Sequence, residues 1–191
     1  VDFQEIERLQ HQGRWDEAGE QLGDIARRLE GAGADVVALC TNTMHKVAPA
    51  IEAALRVPFL HIADPTAQAV KQAGIGRIGL LGTRFTMEED FYRGRLGQRH
   101  GLDVIVPEPA ERETVHRVIY DELCLGKVEE RSRRAYRDII AHLVERGAEG
   151  VILGCTEIAM LVSPADSPVP LFDTTQLHAV SAVDFALQSD S

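Results

Sequence analysis

Along the second half of the chain, short apolar runs alternate with amphipathic stretches. Ile78-Gly79-Leu80-Leu81-Gly82-Thr83 is a nearly continuous apolar run closed by a glycine turn, the pattern of a strand buried on both faces. Residues 87–100 predict a helix, and Val104-Ile105-Val106 predicts a short strand that Pro107 stops. Residues 114–123 and 129–146 predict two more helices. The second of these carries Ile139, Ile140, Leu143 and Val144 as one stripe at helical spacing, and Gly147 ends it. Residues 150–154 then predict a strand, followed by Cys155-Thr156-Glu157 and a short helix. A strand at 169–172 and a closing helix at 176–187 complete the series. Strands alternating with helices predict an α/β fold with a parallel sheet covered on both faces.

The first half carries the same pattern. Asp24-Ile25 matches Asp138-Ile139, Leu29 matches Leu143, Gly33-Ala34 matches Gly147-Ala148, and Val37 matches Val151. All of these pairs lie 114 positions apart without a gap, as with 33 and 147, while Val57-Pro58 matches Val169-Pro170 at an offset of 112. A chance match competes with duplication, but the matches span a helix, its glycine stop and the strand that follows. The expected architecture is two pseudo-symmetric, doubly wound parallel-sheet domains with the active site in the cleft between them, where ligands of open α/β sheets bind. The expected division joins 1–64 with 174–191 in one domain and assigns 65–173 to the other. The first half has no counterpart of the 78–83 strand and its helix. Either that half is simpler, or the chain lacks an N-terminal strand and helix; the opening Val1-Asp2-Phe3 reads as the middle of a strand, which favours the second alternative.

Composition narrows the function. The 191 residues are 45% hydrophobic and 26% charged, enough for one ample core or two small ones. A net charge of -10 disfavours a nucleic-acid partner, and Arg131-Ser132-Arg133-Arg134 reads as the solvated face of a helix. No apolar run approaches the roughly 20 residues of a membrane span. Three widely spaced cysteines do not suggest a disulfide framework and point to a reducing cytoplasm as the expected compartment. No Cys-x-x-Cys or His-x-x-x-His pair proposes a metal site.

The candidate chemistry sits at two strand ends, Cys40-Thr41-Asn42-Thr43 and Gly154-Cys155-Thr156-Glu157. Each falls between a buried strand and a helix, where free backbone N–H groups and the positive end of the helix dipole can hold a carboxylate. The same setting can lower a thiol pKa from about 8.5 towards neutrality and make an acid/base of it. An isolated cysteine is more often simply a small buried residue; its place at a strand-to-helix turn in a duplicated half favours chemistry for Cys155. The gapless offset makes Thr41 the equivalent of Cys155 and pairs Cys40 with Gly154. A shift of one residue turns a strand side chain to the other face, and one inserted residue in the turn would restore Cys40, so both remain candidates to oppose Cys155.

These residues resemble the aspartate/glutamate racemase superfamily, specifically its aspartate racemase branch. The resemblance covers nearly the whole chain. It is carried by Cys40-Thr41-Asn42-Thr43-Met44-His45, by 78–83, by Ile119-Tyr120-Asp121-Glu122-Leu123 with Gly126-Lys127, and by Gly154-Cys155-Thr156-Glu157. It implies a homodimer that needs neither pyridoxal phosphate nor metal and acts on a small amino-acid substrate. It also implies two cysteines on opposite faces of the substrate Cα, one removing a proton and the other returning one. Here the chain departs from the pattern, since Thr41 stands where the usual Cys-Asn-Thr motif has its cysteine, a form similar to that of some broad-specificity or glutamate-preferring members. The family's Gly-Gly-Met-Ser-type loop is also missing. By resemblance, Asn42, Thr43, Thr83 and Thr156 hold the substrate carboxylate and amino group, with helix capping as their ordinary alternative. Lys127 matches a lysine that pairs with an acidic side chain, and an exposed lysine after a glycine is its alternative. No arginine counterpart for a distal carboxylate is evident, so strict aspartate specificity is not expected. Glu157 orients the Cys155 turn or favours a helix start, while His45, His61 and Cys124 read as structural. Other chemistries of the same superfamily (maleate isomerisation, hydantoin racemisation, malonate decarboxylation) and a non-catalytic small-acid binder are the alternatives.

Overall fold

The structure is a computed structural model that describes residues 1–188; the end of the expected first domain, 189–191, lies outside the described residues. The chain divides into two compact units, the first made of Val1–Leu39 and Met44–His61, the second of Cys40–Thr43 and the chain from Ile62 onward.

In the first unit, helices α1 (Phe3–His11) and α2 (Trp15–Gly31) precede strand β1 (Val37–Ala38), helix α3 (Ala48–Ala54) and strand β2 (Phe59–Leu60). The chain opens as a helix and not as a strand, because the Asp2 carboxylate accepts a hydrogen bond from the Gln4 N–H at 2.9 Å and caps α1. Strands β1 and β2 pair in parallel as a two-stranded sheet. Ile6, Leu9, Leu22, Met44, Val47 and Ile51 form the core of this unit. Helices α2 and α3 approach closely at Gly19 and Gly23, where added Cβ atoms would stand 3.1 Å from the Ala50 Cβ and 3.3 Å from the Ala50 carbonyl.

The second unit holds a four-stranded, fully parallel sheet. After α4 (Ala63–Gln72) come β3 (Arg77–Gly82), α5 (Arg84–Glu88), α6 (Asp90–Gly94), β4 (Asp103–Ile105), α7 (Pro109–Asp121), α8 (Glu130–Glu145), β5 (Val151–Gly154), α9 (Ile158–Leu161), β6 (Leu171–Asp173) and α10 (Thr174–Gln188). The strand order is β4-β3-β5-β6. Burial on both faces explains the unbroken apolar strands. Leu81, Val151 and Leu153 face one core layer with Val115, Ile119, Ile140 and Leu143, whereas Ile78, Leu80 and Ile152 face the other with Ala67, Tyr92 and Leu96.

The 114-residue repeat is visible in hydrogen bonds. Gly33 and Gly147 both turn into the left-handed region, at φ of 97° and 94°, and end α2 and α8. The following N–H groups reach back to equivalent carbonyls, Ala34 to Leu29 at 3.1 Å and Ala148 to Leu143 at 2.9 Å. The next strands also start alike, with the Val37 N–H donating to Pro58 O at 3.0 Å and the Val151 N–H to Pro170 O at 2.9 Å.

Two further expectations are corrected. The helix expected over 87–100 is broken: Glu89 is extended between α5 and α6, and a π-helical turn, Arg95–Arg99, follows. In this arrangement Tyr92 and Leu96 are buried and the Arg95 guanidinium grips Asp64 at 2.7 and 2.6 Å. The closing helix α10, expected with residues 1–64, clusters with the second unit because it packs on α4, β5 and β6.

Candidate functional site

The sheet order sets the site. From the central β3 the chain passes to β4 on one side, and then returns to place β5 on the other side. The carboxyl ends of β3 and β5 are therefore a topological switch point, the usual ligand crevice of an open α/β sheet. Gly82 and Gly154 are register partners there. Thr83 and Cys155 are the next residue on each strand.

Threonine hydroxyls gather around these exits. Thr83 is the N-cap of α5, with its Oγ1 3.4 Å from the Thr86 N–H, and it lies 2.9 Å from Thr43 Oγ1. Asn42 donates through Nδ2 to Thr174 Oγ1 at 2.9 Å, and Thr174 donates to the Leu153 carbonyl, also at 2.9 Å. Asn42, Thr43, Thr83 and Thr174 are all buried. Asn42 Oδ1 is buried without a hydrogen-bond partner. Of the sequence-selected residues, the structure thus brings Asn42, Thr43 and Thr83 to the ends of the sheet strands. Thr41 is half-buried between them and the exposed Cys40, and Thr156 is half-buried beside Cys155. Lys127 is exposed behind the left-handed Gly126. Thr174 was missed, although Asp173-Thr174 presents the same strand-to-helix signal as the other turns.

Cys155 packs against the core layer of α7 and α8, and its thiol donates to Glu157 Oε2 at 2.9 Å. The expected depression of its pKa does not occur. Burial, then the charge of and hydrogen bond to Glu157, push the thiol well above its ordinary value. The following helix, α9, has only four residues, too short for a strong dipole to oppose them. His45 and His61 are buried and their rings meet within the first unit at a tilt of 59°, with centroids 4.2 Å apart. Cys124 lies in a 3-10 turn against the same core as Cys155. No group of three His, Cys, Asp or Glu side chains among the described residues is arranged to hold a metal ion. No helix among the described residues is long and apolar enough to cross a membrane.

A parallel sheet whose switch point carries a thiol, an amide and a set of threonine hydroxyls defines an α/β protein with a polar crevice of the kind in which open sheets hold small ligands. Known proteins specify it further. The Asp/Glu/hydantoin racemase family model matches residues 1–182, and the chain belongs to that family. It is 26% identical over 178 residues to the broad-specificity amino-acid racemase RacX of Bacillus subtilis, covering 92% of this chain and 75% of RacX. A crystal structure from Yersinia pestis, assigned to the Asp/Glu racemases, superimposes with a TM-score of 0.91 at 57% identity, covering 98% of this chain and 81% of that one. An aspartate racemase homologue from Pyrococcus horikoshii superimposes with a TM-score of 0.83 at 33% identity, covering 97% and 80%.

Proposed function

We propose that the chain is a cofactor-independent amino-acid racemase, acting on aspartate, glutamate or a broader set of small amino acids as a cytoplasmic homodimer. The observation that carries this reading is the pair of equivalent strand exits. The matching starts of β1 and β5 support Thr41 as the counterpart of Cys155, and Cys155 leaves its strand beside the threonine cluster at the switch point.

In this reading the Cys155 thiolate takes the Cα proton from one face. The C–H electron pair stays on Cα and spreads into the carboxylate, where hydrogen-bond donors stabilise the growing charge. The Thr41 hydroxyl delivers a proton to the opposite face and is reprotonated from solvent, while the thiol gives its proton back to solvent. Cys40 stands beside Thr41 as the alternative donor. Asn42, Thr43, Thr83 and Thr156 hold the carboxylate and ammonium, and Lys127 meets a distal acid group. A thiol that is hard to ionise is the stronger base once ionised, and the substrate ammonium offsets part of the cost of forming the buried thiolate.

Proton NMR of D- and L-aspartate and D- and L-glutamate in D2O with the protein tests this reading. The expected result is exchange of the Cα proton with inversion, abolished from both enantiomers by Cys155→Ala. Double-bond isomerisation of maleate or CO2 release from a malonate, without inversion of any amino acid, would replace it with another chemistry of the superfamily. Ligand-induced stabilisation with no exchange would make the chain a binder.

A further inference from the structure

Thr174 is fully buried, and Asn42 is only 2% exposed. Their hydrogen bond has a fixed polarity. A threonine hydroxyl has one proton to donate and lone pairs to accept with. The Thr174 proton is committed to the Leu153 carbonyl, which can only accept. Towards Asn42 the hydroxyl can then only accept, so the amide must present Nδ2 to it, at 2.9 Å. The amide oxygen is thereby turned to the other side of Cγ, where it is buried and has no partner. A buried carbonyl without a donor is costly to leave unsatisfied.

We infer that Thr174 is a positioning residue that locks the Asn42 amide with its oxygen free, so that the site accepts a ligand donor there, a substrate ammonium and not a carboxylate. This assignment rests on the racemase reading above and adds to it which substrate group Asn42 recognises. It also makes the site select against acids that lack the ammonium, because a hydroxy acid offers a weaker, uncharged donor to Oδ1. Without the Thr174 hydroxyl the amide is free to flip and present its NH2 instead.

The test compares wild type, Thr174→Val and Thr174→Ser as full chains. The amino-acid probe is L-aspartate or L-glutamate, whichever the wild type exchanges faster; the second probe is its 2-hydroxy analogue, L-malate or L-2-hydroxyglutarate, used as a competitor. Wild type and Thr174→Ser should favour the amino acid. Thr174→Val should lose about tenfold in that preference, as expected for a hydrogen bond to a charged group, mainly through KM. A ligand-free measurement runs beside it: slow hydrogen exchange of the Asn42 side-chain NH2 by NMR in wild type and Thr174→Ser, and fast exchange in Thr174→Val. If the wild type exchanges no amino-acid proton, the racemase reading fails, and with it the ammonium assignment; the amide lock is then judged by the NMR measurement alone. If the wild type is active but Thr174→Val keeps its preference, the ammonium assignment is overturned. Unchanged Asn42 NH2 exchange in Thr174→Val overturns the lock, and a Thr174→Ser variant behaving like Thr174→Val does the same.

Discussion

Gly82 and Gly154 face each other as register partners at the carboxyl ends of β3 and β5, and neither has room for a side chain. A Cβ on Gly82 would stand 2.8 Å from the Gly154 carbonyl oxygen, and one on Gly154 would stand 2.8 Å from the Leu81 carbonyl oxygen. Those contacts are with backbone, which cannot swing aside. The two strands can close on each other only because both residues are glycine, and this closeness brings the Thr83 and Cys155 turns together.

Alanine at either glycine should therefore destabilise the second unit by about 1–3 kcal/mol, the usual cost of forcing extra volume into a packed core. Urea denaturation followed by circular dichroism measures it. A Gly154→Ala protein as stable as wild type would mean that the strands are not held this tightly.

The proposed equivalence of Thr41 and Cys155 leads to an asymmetric pair of outcomes. Thr41→Cys should retain or raise proton exchange, since a thiol is a better acid/base than a hydroxyl. Cys40→Ala should have little effect, because in that register Cys40 pairs with Gly154, and its side chain is exposed. The opposite pattern in the D2O assay would hand the opposing position to Cys40.

The raised thiol pKa makes a pH prediction. Burial acts first and Glu157 second, and both disfavour the thiolate. Proton abstraction by Cys155 should thus keep rising with pH beyond the range where an ordinary thiol, at about 8.5, has ionised. Glu157→Gln removes a negative charge beside the sulfur, so the thiolate forms more readily and the alkaline limb should move to lower pH. Initial exchange rates across a pH series decide the direction; a shift to higher pH would show that Glu157 helps the thiol to ionise.

Thr43 and Thr83 share one hydrogen bond, at 2.9 Å, so valine substitutions there should not add. Thr83→Val leaves the buried Thr43 hydroxyl without this partner, at about 1–3 kcal/mol, whereas after Thr43→Val the Thr83 hydroxyl keeps Thr86. Thr83→Val should cost more than Thr43→Val because it also removes the cap of α5. In a double-mutant cycle by chemical denaturation the double variant should cost less than the sum of the singles; strict additivity would mean that the pair is not coupled.

Much of this was legible in the chain because its causes are local. The stripe of Ile139, Ile140 and Leu143 makes α8 amphipathic, and a glycine able to adopt positive φ stops it at Gly147, just as Gly33 stops α2. Periodicity and glycine placement act within one helical turn, so they can be read from a short window. The same signals revealed the repeated glycine stops and strand starts, seen again in the matching hydrogen bonds of Ala34 and Ala148 and of Val37 and Val151. The break at Glu89 was not legible, because residues 87–100 carry a helical pattern and the reward for breaking it lies in α4, where Arg95 finds Asp64.

The sequence by itself determined the alternation of strands and helices, the glycine stops and the strand-end turns that carry Cys155 and Asn42, since these follow from side-chain period and backbone freedom. Only the tertiary structure decided that Asn42 meets Thr174 across 132 residues, and that Thr43 meets Thr83 across 40. It also decided that the Cys155 thiol is pushed up and not down. Those outcomes depend on which groups are withdrawn from water together, and burial is set by the assembled sheet and not by any residue's neighbours in the chain.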